Sequence, residues 1–240
     1  MLPIMTAAVS GALAYQAAVD EIAHNLANLS TPAFRPTRLT QVEASPAGGA
    51  AAAVRRLLTR PGPLAGTGMP LDVALANDRT FLRVRLPDGS FAYTRRGDLR
   101  FDGTGRLVTF GGLPLDPEIR VPADSRVEVR PDGTVAAAAD DGTETVVGRL
   151  ELFTFERPEN LEPLGGGLFR ESASSGPARP AGPDRSGPAA ILPGYLEMSG
   201  VELVGEFTRL IAAQRAYTLN LNVIRDQDQL LSQAIELARG

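Results

Sequence analysis

A chain of 240 residues, 43% of them hydrophobic, is long enough for one large domain or two smaller ones. Its net charge of −4, with both signs spread along the sequence, argues against a dedicated nucleic-acid surface. Every basic side chain is arginine and cysteine is absent, which excludes Schiff-base and P-loop lysines, disulfides and thiolate metal sites.

Residues 1–18 are apolar and Ala-rich, but they lack a basic leading region, and Thr6, Ser10 and Gln16 dilute them. No run of about twenty apolar residues follows, so no membrane insertion is expected. Export, if it occurs, is expected without a cleaved signal peptide. Ile4, Ala8, Gly11, Tyr15, Ala18, Ile22, Asn25 and Leu29 recur at alternating steps of four and three. That spacing predicts a helix to about Leu29 with a narrow seam of small residues. Pro32 and Pro36 bias the residues before them away from helical geometry. Asn25, Asn28 and Thr31 share a face over the last turn, where they can bind loose carbonyls or a neighbouring chain. His24 is the only histidine, with no carboxylate or serine at motif spacing, and reads as a surface or packing residue.

Residues 37–68 read as a linker, with a Gly/Ala stretch, an arginine cluster (Arg55, Arg56, Arg60) and the breakers Pro61-Gly62-Pro63 and Gly66-Thr67-Gly68. Residues 71–157 read as all-β. Asp88-Gly89, Asp102-Gly103, Asp132-Gly133 and Asp141-Gly142 punctuate alternating strands, a hairpin signal because both turn positions tolerate positive φ. The expected hairpins pair Phe81–Leu86 with Phe91–Thr94, Leu99–Phe101 with Leu107–Phe110, and Val127–Arg130 with Thr134–Ala137. Val146–Phe155 is expected to close the sheet. The carboxylates belong to turns, and nothing pairs them for acid–base work. Residues 171–194, rich in Ser, Gly, Pro and Ala, read as a second linker.

From Ser199 to Ala238 the sequence predicts one long helix, about 58 Å at 1.5 Å per residue. Ser199 and Glu202 have capping-box spacing. Its seam runs through Leu203, Phe207, Leu210, Gln214, Tyr217, Leu221, Ile224, Asp228, Leu231, Ile235 and Ala238. So long a stripe needs a partner helix, and the small N-terminal seam suits it, in the same chain or in a neighbour. Two amphipathic helices of an ordinary core remain the alternative.

The expected fold class is therefore α+β: long N- and C-terminal helices pairing as a coiled-coil-like domain, with an all-β central domain inserted between them. The expected domains are a helix at 1–33, a linker at 34–69, the β-rich domain at 70–170, a linker at 171–195 and a helix at 196–240.

Asn25-Leu26-Ala27-Asn28-Leu29-Ser30-Thr31-Pro32-Ala33-Phe34 resembles the signature of bacterial flagellar rod and hook proteins. Pro70–Leu75, Tyr93-Thr94-Arg95-Arg96-Gly97 and Gly105–Thr109 resemble the β-domain of the rod members. Gly194–Glu197 and Gln214-Arg215-Ala216-Tyr217, with Asn220 and Ile224, resemble the family's end helix. The likeness is collinear over nearly the whole chain. It departs at Ala33, where the family usually has Gly, at Gly200 after Ser199, and at Gly205 inside the helix.

The resemblance implies a structural subunit of the basal-body rod, with no enzymatic activity, cofactor or metal, located in the periplasm-spanning part of the flagellum. It implies partners in other copies of itself and other rod and hook subunits, and also in ring proteins and the flagellar type III export apparatus. The subunit-contact residues it suggests are Gly11, Asn25, Asn28, Thr31, Phe34, Leu210, Gln214, Arg215, Tyr217, Asn220 and Ile224. A hook-type axial protein is the nearest alternative; a surface adhesin or binding module built on the β-domain is the alternative from another class.

Overall fold

The computed structural model describes residues 2–39, 42–43, 50–51, 61–122, 125–139, 142–181 and 191–239. The chain divides into two compact units. One joins Met1–Leu29, Thr37–Leu57 and Val201–Gly240; the other joins Ser30–Pro36 and Leu58–Gly200.

The β-rich unit is organised by a six-stranded antiparallel sheet. Its spatial order is Glu162–Gly165, Leu168–Arg170, Phe91–Thr94, Thr80–Arg85, Leu152–Thr154, Arg179–Ala181. The two central strands pair Arg83 with Tyr93 and Val84 with Ala92, as the Asp88-Gly89 turn predicts. Strand alternation gives the sheet two apolar faces. Leu82, Val84, Ala92 and Leu152 join the main core with Val73, Leu75, Leu107, Val135 and Ile191. Phe81, Tyr93, Phe153 and Phe169 point the other way and form an aromatic cluster with Phe155 and Leu161. Phe81 and Tyr93 both meet Phe155 edge-on, at centroid distances of 5.6 and 4.8 Å. Such contacts add about 0.5–1.5 kcal/mol each beyond burial. Both edge strands contain a proline, Pro163 and Pro180, which cannot donate to an incoming strand.

The other two expected hairpins also form: Leu99–Phe101 with Leu107–Thr109, and Arg126–Val129 with Thr134–Ala138. In the turn after Asp102 it is Gly105, not Gly103, that takes positive φ. The Asp102 carboxylate accepts from the backbone N–H of Thr104 and Arg106 and from the Thr104 hydroxyl. Asp141 of the fourth pair lies outside the described residues. Val146–Phe155 is not one closing strand. Glu144–Arg149 pairs with Thr134–Ala138 in a three-stranded sheet, and Leu152–Thr154 crosses to the six-stranded one. Within the stretch read as a second linker, Arg179–Ala181 pairs with Leu152–Thr154 and Ile191–Pro193 with Val73–Leu75. Tyr195–Glu197 pairs with Leu64–Gly66.

The helical unit contains α1 (Leu2–Ala27) and α2 (Leu203–Arg239). α2 starts four residues after Ser199, so the expected capping box does not form; the carbonyl of Glu202 accepts the N–H of Glu206. A side chain at Gly11 would meet Asn220, while Glu21 sits in the electrostatic field of Glu206 and Arg209. Residue numbers thus rise along one helix as they fall along the other, and the pair is antiparallel.

The expected coiled coil is corrected here. The chain has one helix at each end of a β-rich middle, α+β overall, without a long paired heptad seam. Of the expected C-terminal seam, Leu203, Phe207 and Ile235 are 42, 48 and 53% exposed. The buried positions of α2 are Glu206 and Ala213, one step from the expected stripe. Small residues on α1, Ala8, Gly11 and Ala12, let the helices approach on small and polar side chains instead of interlocking bulky ones. Length also forbids full pairing. With Gly11 opposite Asn220, the first residue of α1 falls near residue 229 of α2, and the last turns of α2 extend past it. Among the described residues no helix is long and apolar enough to cross a membrane.

Candidate subunit interface

The last turns of α1 hold the chain that returns after it. Asn25 is fully buried and both ends of its amide are used: Nδ2 donates to the Thr37 carbonyl (3.1 Å) and Oδ1 accepts the Thr37 N–H (3.2 Å). The amide copies a backbone edge and pairs like a strand. One turn earlier, Glu21 accepts the Leu39 N–H at 2.6 Å. Burial pushes the Glu21 carboxyl up, against the pull of that N–H and of Arg209 and Arg38 and with the push of Glu206. Glu206 is itself buried and held by Arg209, whose Nη1 donates to both carboxylate oxygens at 2.9 and 3.0 Å. Asn28 Nδ2 donates to the His24 carbonyl and closes the helix end.

Gly11 lies at a close approach of the two helices. A Cβ there would come within 2.9 Å of Asn220 Oδ1. Asn220 is anchored in turn by Nδ2 donating to the Ala216 carbonyl at 2.9 Å. Leu210, Tyr217 and Ile224 are half-buried, while Gln214 and Arg215 are exposed. The structure thus brings Gly11 and Asn220 together and gathers Asn25 and Asn28 at the end of α1. Thr31 and Phe34 belong to the β-rich unit, where the Phe34 N–H donates to the Thr31 carbonyl.

Sequence reasoning missed a second set of apolar residues. Val204, Ile211, Leu219, Val223, Leu230 and Leu237 on α2, and Val9 and Leu13 on α1, are all exposed, as is Phe207 of the expected seam. Residues 223, 230 and 237 repeat every seventh position, a signal that could have revealed them.

It missed also a buried charge cluster in the β-rich unit. Arg95 and Glu197 are nearly inaccessible, and Arg95 Nε and Nη2 lie 2.7 and 2.6 Å from Glu197 Oε2. The remaining Arg95 donors reach the carbonyls of Leu75, Asn77 and Thr80. Arg35 approaches the other carboxylate oxygen with its Nε at 3.5 Å and donates Nη2 to the Asp78 carbonyl. Burial, then the like charge of Arg95, push the Arg35 pKa down, and Glu197 opposes them. Gly97 packs where a Cβ would fall 1.7 Å from the Val73 carbonyl oxygen, so the run Arg95-Arg96-Gly97 is fixed by packing at both ends. The Glu197 carbonyl accepts the Ala33 N–H, and Ala33 is held at φ 55°. Its departure from the usual Gly thus falls on a position that demands positive φ.

Comparison with known proteins agrees in both units. The family described as Flagellar basal body rod FlgEFG protein C-terminal matches residues 192–237, and Flagellar hook protein FlgE/F/G D1 domain matches residues 77–137. The chain is 32% identical to flagellar basal-body rod protein FlgG of Buchnera aphidicola, over 99% of this chain and all of that protein. It is 33% identical to FlgG of Bacillus subtilis, with both chains fully covered. Against flagellar basal-body rod protein FlgF of Salmonella typhimurium it is 37% identical over 90% of each chain. On a buried framework, an exposed apolar helical surface and this full-length similarity, the chain belongs to the family of flagellar basal-body rod proteins.

Proposed function

We propose that this protein assembles helically with copies of itself into a tube that transmits torque and encloses an export channel. As a member of its family it is a structural subunit of the flagellar basal-body rod, at the basal body, and assembles with other rod and hook subunits. The observation that carries the reading is the apolar surface of the helical unit. Val204, Phe207, Ile211, Leu219 and Leu230 stand in solvent in a single chain, and a monomer of this design leaves them unburied. Repeated heterologous contacts that do not close on themselves generate an open helical tube. The proline-blocked sheet edges favour assembly through helices over strand addition.

In this proposal the contacts include Gln214 and Arg215 directly. Gly11, Leu210, Tyr217, Asn220 and Ile224 shape the surface from within, and Asn25, Asn28, Thr31 and Phe34 fix the exit of α1. Its further partners are ring proteins and the export apparatus. It works mechanically and not as an enzyme. Leu219→Asp tests the reading. Rods and motility should be lost while the subunit is still exported and its β-rich unit melts as before. Normal rods in that strain would refute it.

A further inference from the structure

We propose that the β-rich unit carries a heterologous contact of its own, in which Phe110 and Arg100 of one subunit meet Val146 and Glu128 of a second copy of this chain. The proposal rests on the helical assembly argued above and adds the β-rich unit to it. Phe110 follows the strand Leu107–Thr109 and is 59% exposed. Two guanidinium groups flank its ring, Arg96 at 5.5 Å and Arg100 at 5.1 Å from the centroid. Cation–π attraction of this kind holds an exposed ring in place before any partner arrives. The two arginines differ in what else they touch. Arg96 is engaged by Asp98, with Nε 3.1 Å from Oδ1 and Nη2 2.5 Å from Oδ2. Arg100 is exposed and has no carboxylate or carbonyl partner among the described residues. A held aromatic ring beside an uncompensated guanidinium matches the composition of interface hot spots, where aromatic residues and arginine dominate.

The complementary surface lies on the three-stranded sheet. Val146 and Glu128 stand opposite Ala136 on its two sides, so the three share one face. Val146 is 62% exposed, and Glu128 is exposed with no cationic partner among the described residues. Ala136 adds no bulk between them. An apolar side chain and an uncompensated carboxylate in one row match the ring and the uncompensated guanidinium in chemistry and in sign. Two copies of the Phe110 patch would instead bring Arg100 against Arg100, so that patch does not pair with itself. A contact between two different patches is heterologous, and it can repeat from copy to copy without closing.

The chain has no cysteine, so introduced cysteines report alone. Rods built from the full chain carrying both Phe110→Cys and Val146→Cys, treated with a short bismaleimide, should run as a ladder of dimers and higher multimers on a denaturing gel. Either substitution alone should give monomers. Arg100→Glu and Glu128→Arg should each lower rod yield about tenfold or more while the β-rich unit melts as before, and the two together should restore most of it. Monomers alone from the double-cysteine rods, or dimers from a single-cysteine variant, would overturn the proposal. So would charge reversals that assemble normally one at a time, or that fail to rescue one another. Rods lost with Leu219→Asp but untouched by these variants would remove this contact and leave assembly through the helices standing. Rods untouched by Leu219→Asp would remove the reading on which the contact rests.

Discussion

In the β-rich unit, Val73, Ala74 and Leu75 are all buried on successive positions of one strand. Along α2, from 203 to 237, only Glu206 and Ala213 are buried. Both regions carry apolar side chains at regular spacing. The sheet covers both of its faces with elements of its own unit, whereas the helix pair covers one narrow stripe and leaves Leu219 and Leu237 at 65 and 85% exposure. One unit is complete as a monomer, and the other has the surface of a part whose remaining core is supplied by neighbours.

The largest effect is expected where the complete unit buries charge. Arg95→Met should lower β-rich unit stability by about 3–5 kcal/mol, because it leaves the Glu197 carboxylate buried with only the poorly aligned Arg35 beside it. Denaturant melting checks this, and the helix pair should not determine the result. Gly11→Leu is the matching break in the incomplete unit. Overpacking against Asn220 should cost about 1–3 kcal/mol at each copy. Rod assembly and motility should fail while export of the subunit, measured separately, continues. Normal swimming would mean that Gly11 tolerates a side chain and that the contact is not close in the assembled state.

Acid should then separate the two units by sign. The Glu21 carboxyl is raised above its usual 4.5, chiefly by burial, so its contribution is full below 4.5 and is lost as pH rises through the raised folded value. Acidifying from neutrality toward 4.5 should therefore stabilise the helical unit in which Glu21 is buried. Asp102, Asp132 and Asp88 are lowered, chiefly by hydrogen bonds within their turns: from the Thr104 hydroxyl to Asp102, the Thr134 N–H to Asp132 and the Ser90 hydroxyl to Asp88. Their contribution is present above 3.8 and is lost only as pH falls through the lower folded values. The melting of the helical unit should shift upward between pH 7 and 4.5 while the β-rich unit melts unchanged, and Glu21→Gln should remove the first response.

What could be read from the chain beforehand divides along the same line. Hairpins were legible because Asp-Gly is a local signal, and Arg83 faces Tyr93 as that turn dictates. The extent of both helices was legible from periodicity, but the contact face was not. Periodicity finds the bulkiest stripe, and the stripe that packs in this chain is small and polar, through Gly11, Ala213 and Asn220. Glu197 and Arg95 stand 102 residues apart, and no local pattern joins them. Each lay in a run resembling the family's, yet their pairing exists only in three dimensions. Asn25 was marked as a contact residue by its motif, but in the structure the returning chain at Thr37 already occupies it.

The most direct test of completeness against incompleteness is amide exchange on the dilute full chain and again on the assembled rod. Leu107 and Val73, both buried in the main core, should be strongly protected in both states. Amides of α2 from about residue 230 onward should exchange freely in the dilute chain and become protected on assembly. If those helical amides are as protected in the dilute monomer as Leu107, the helix pair is complete by itself and the account is wrong.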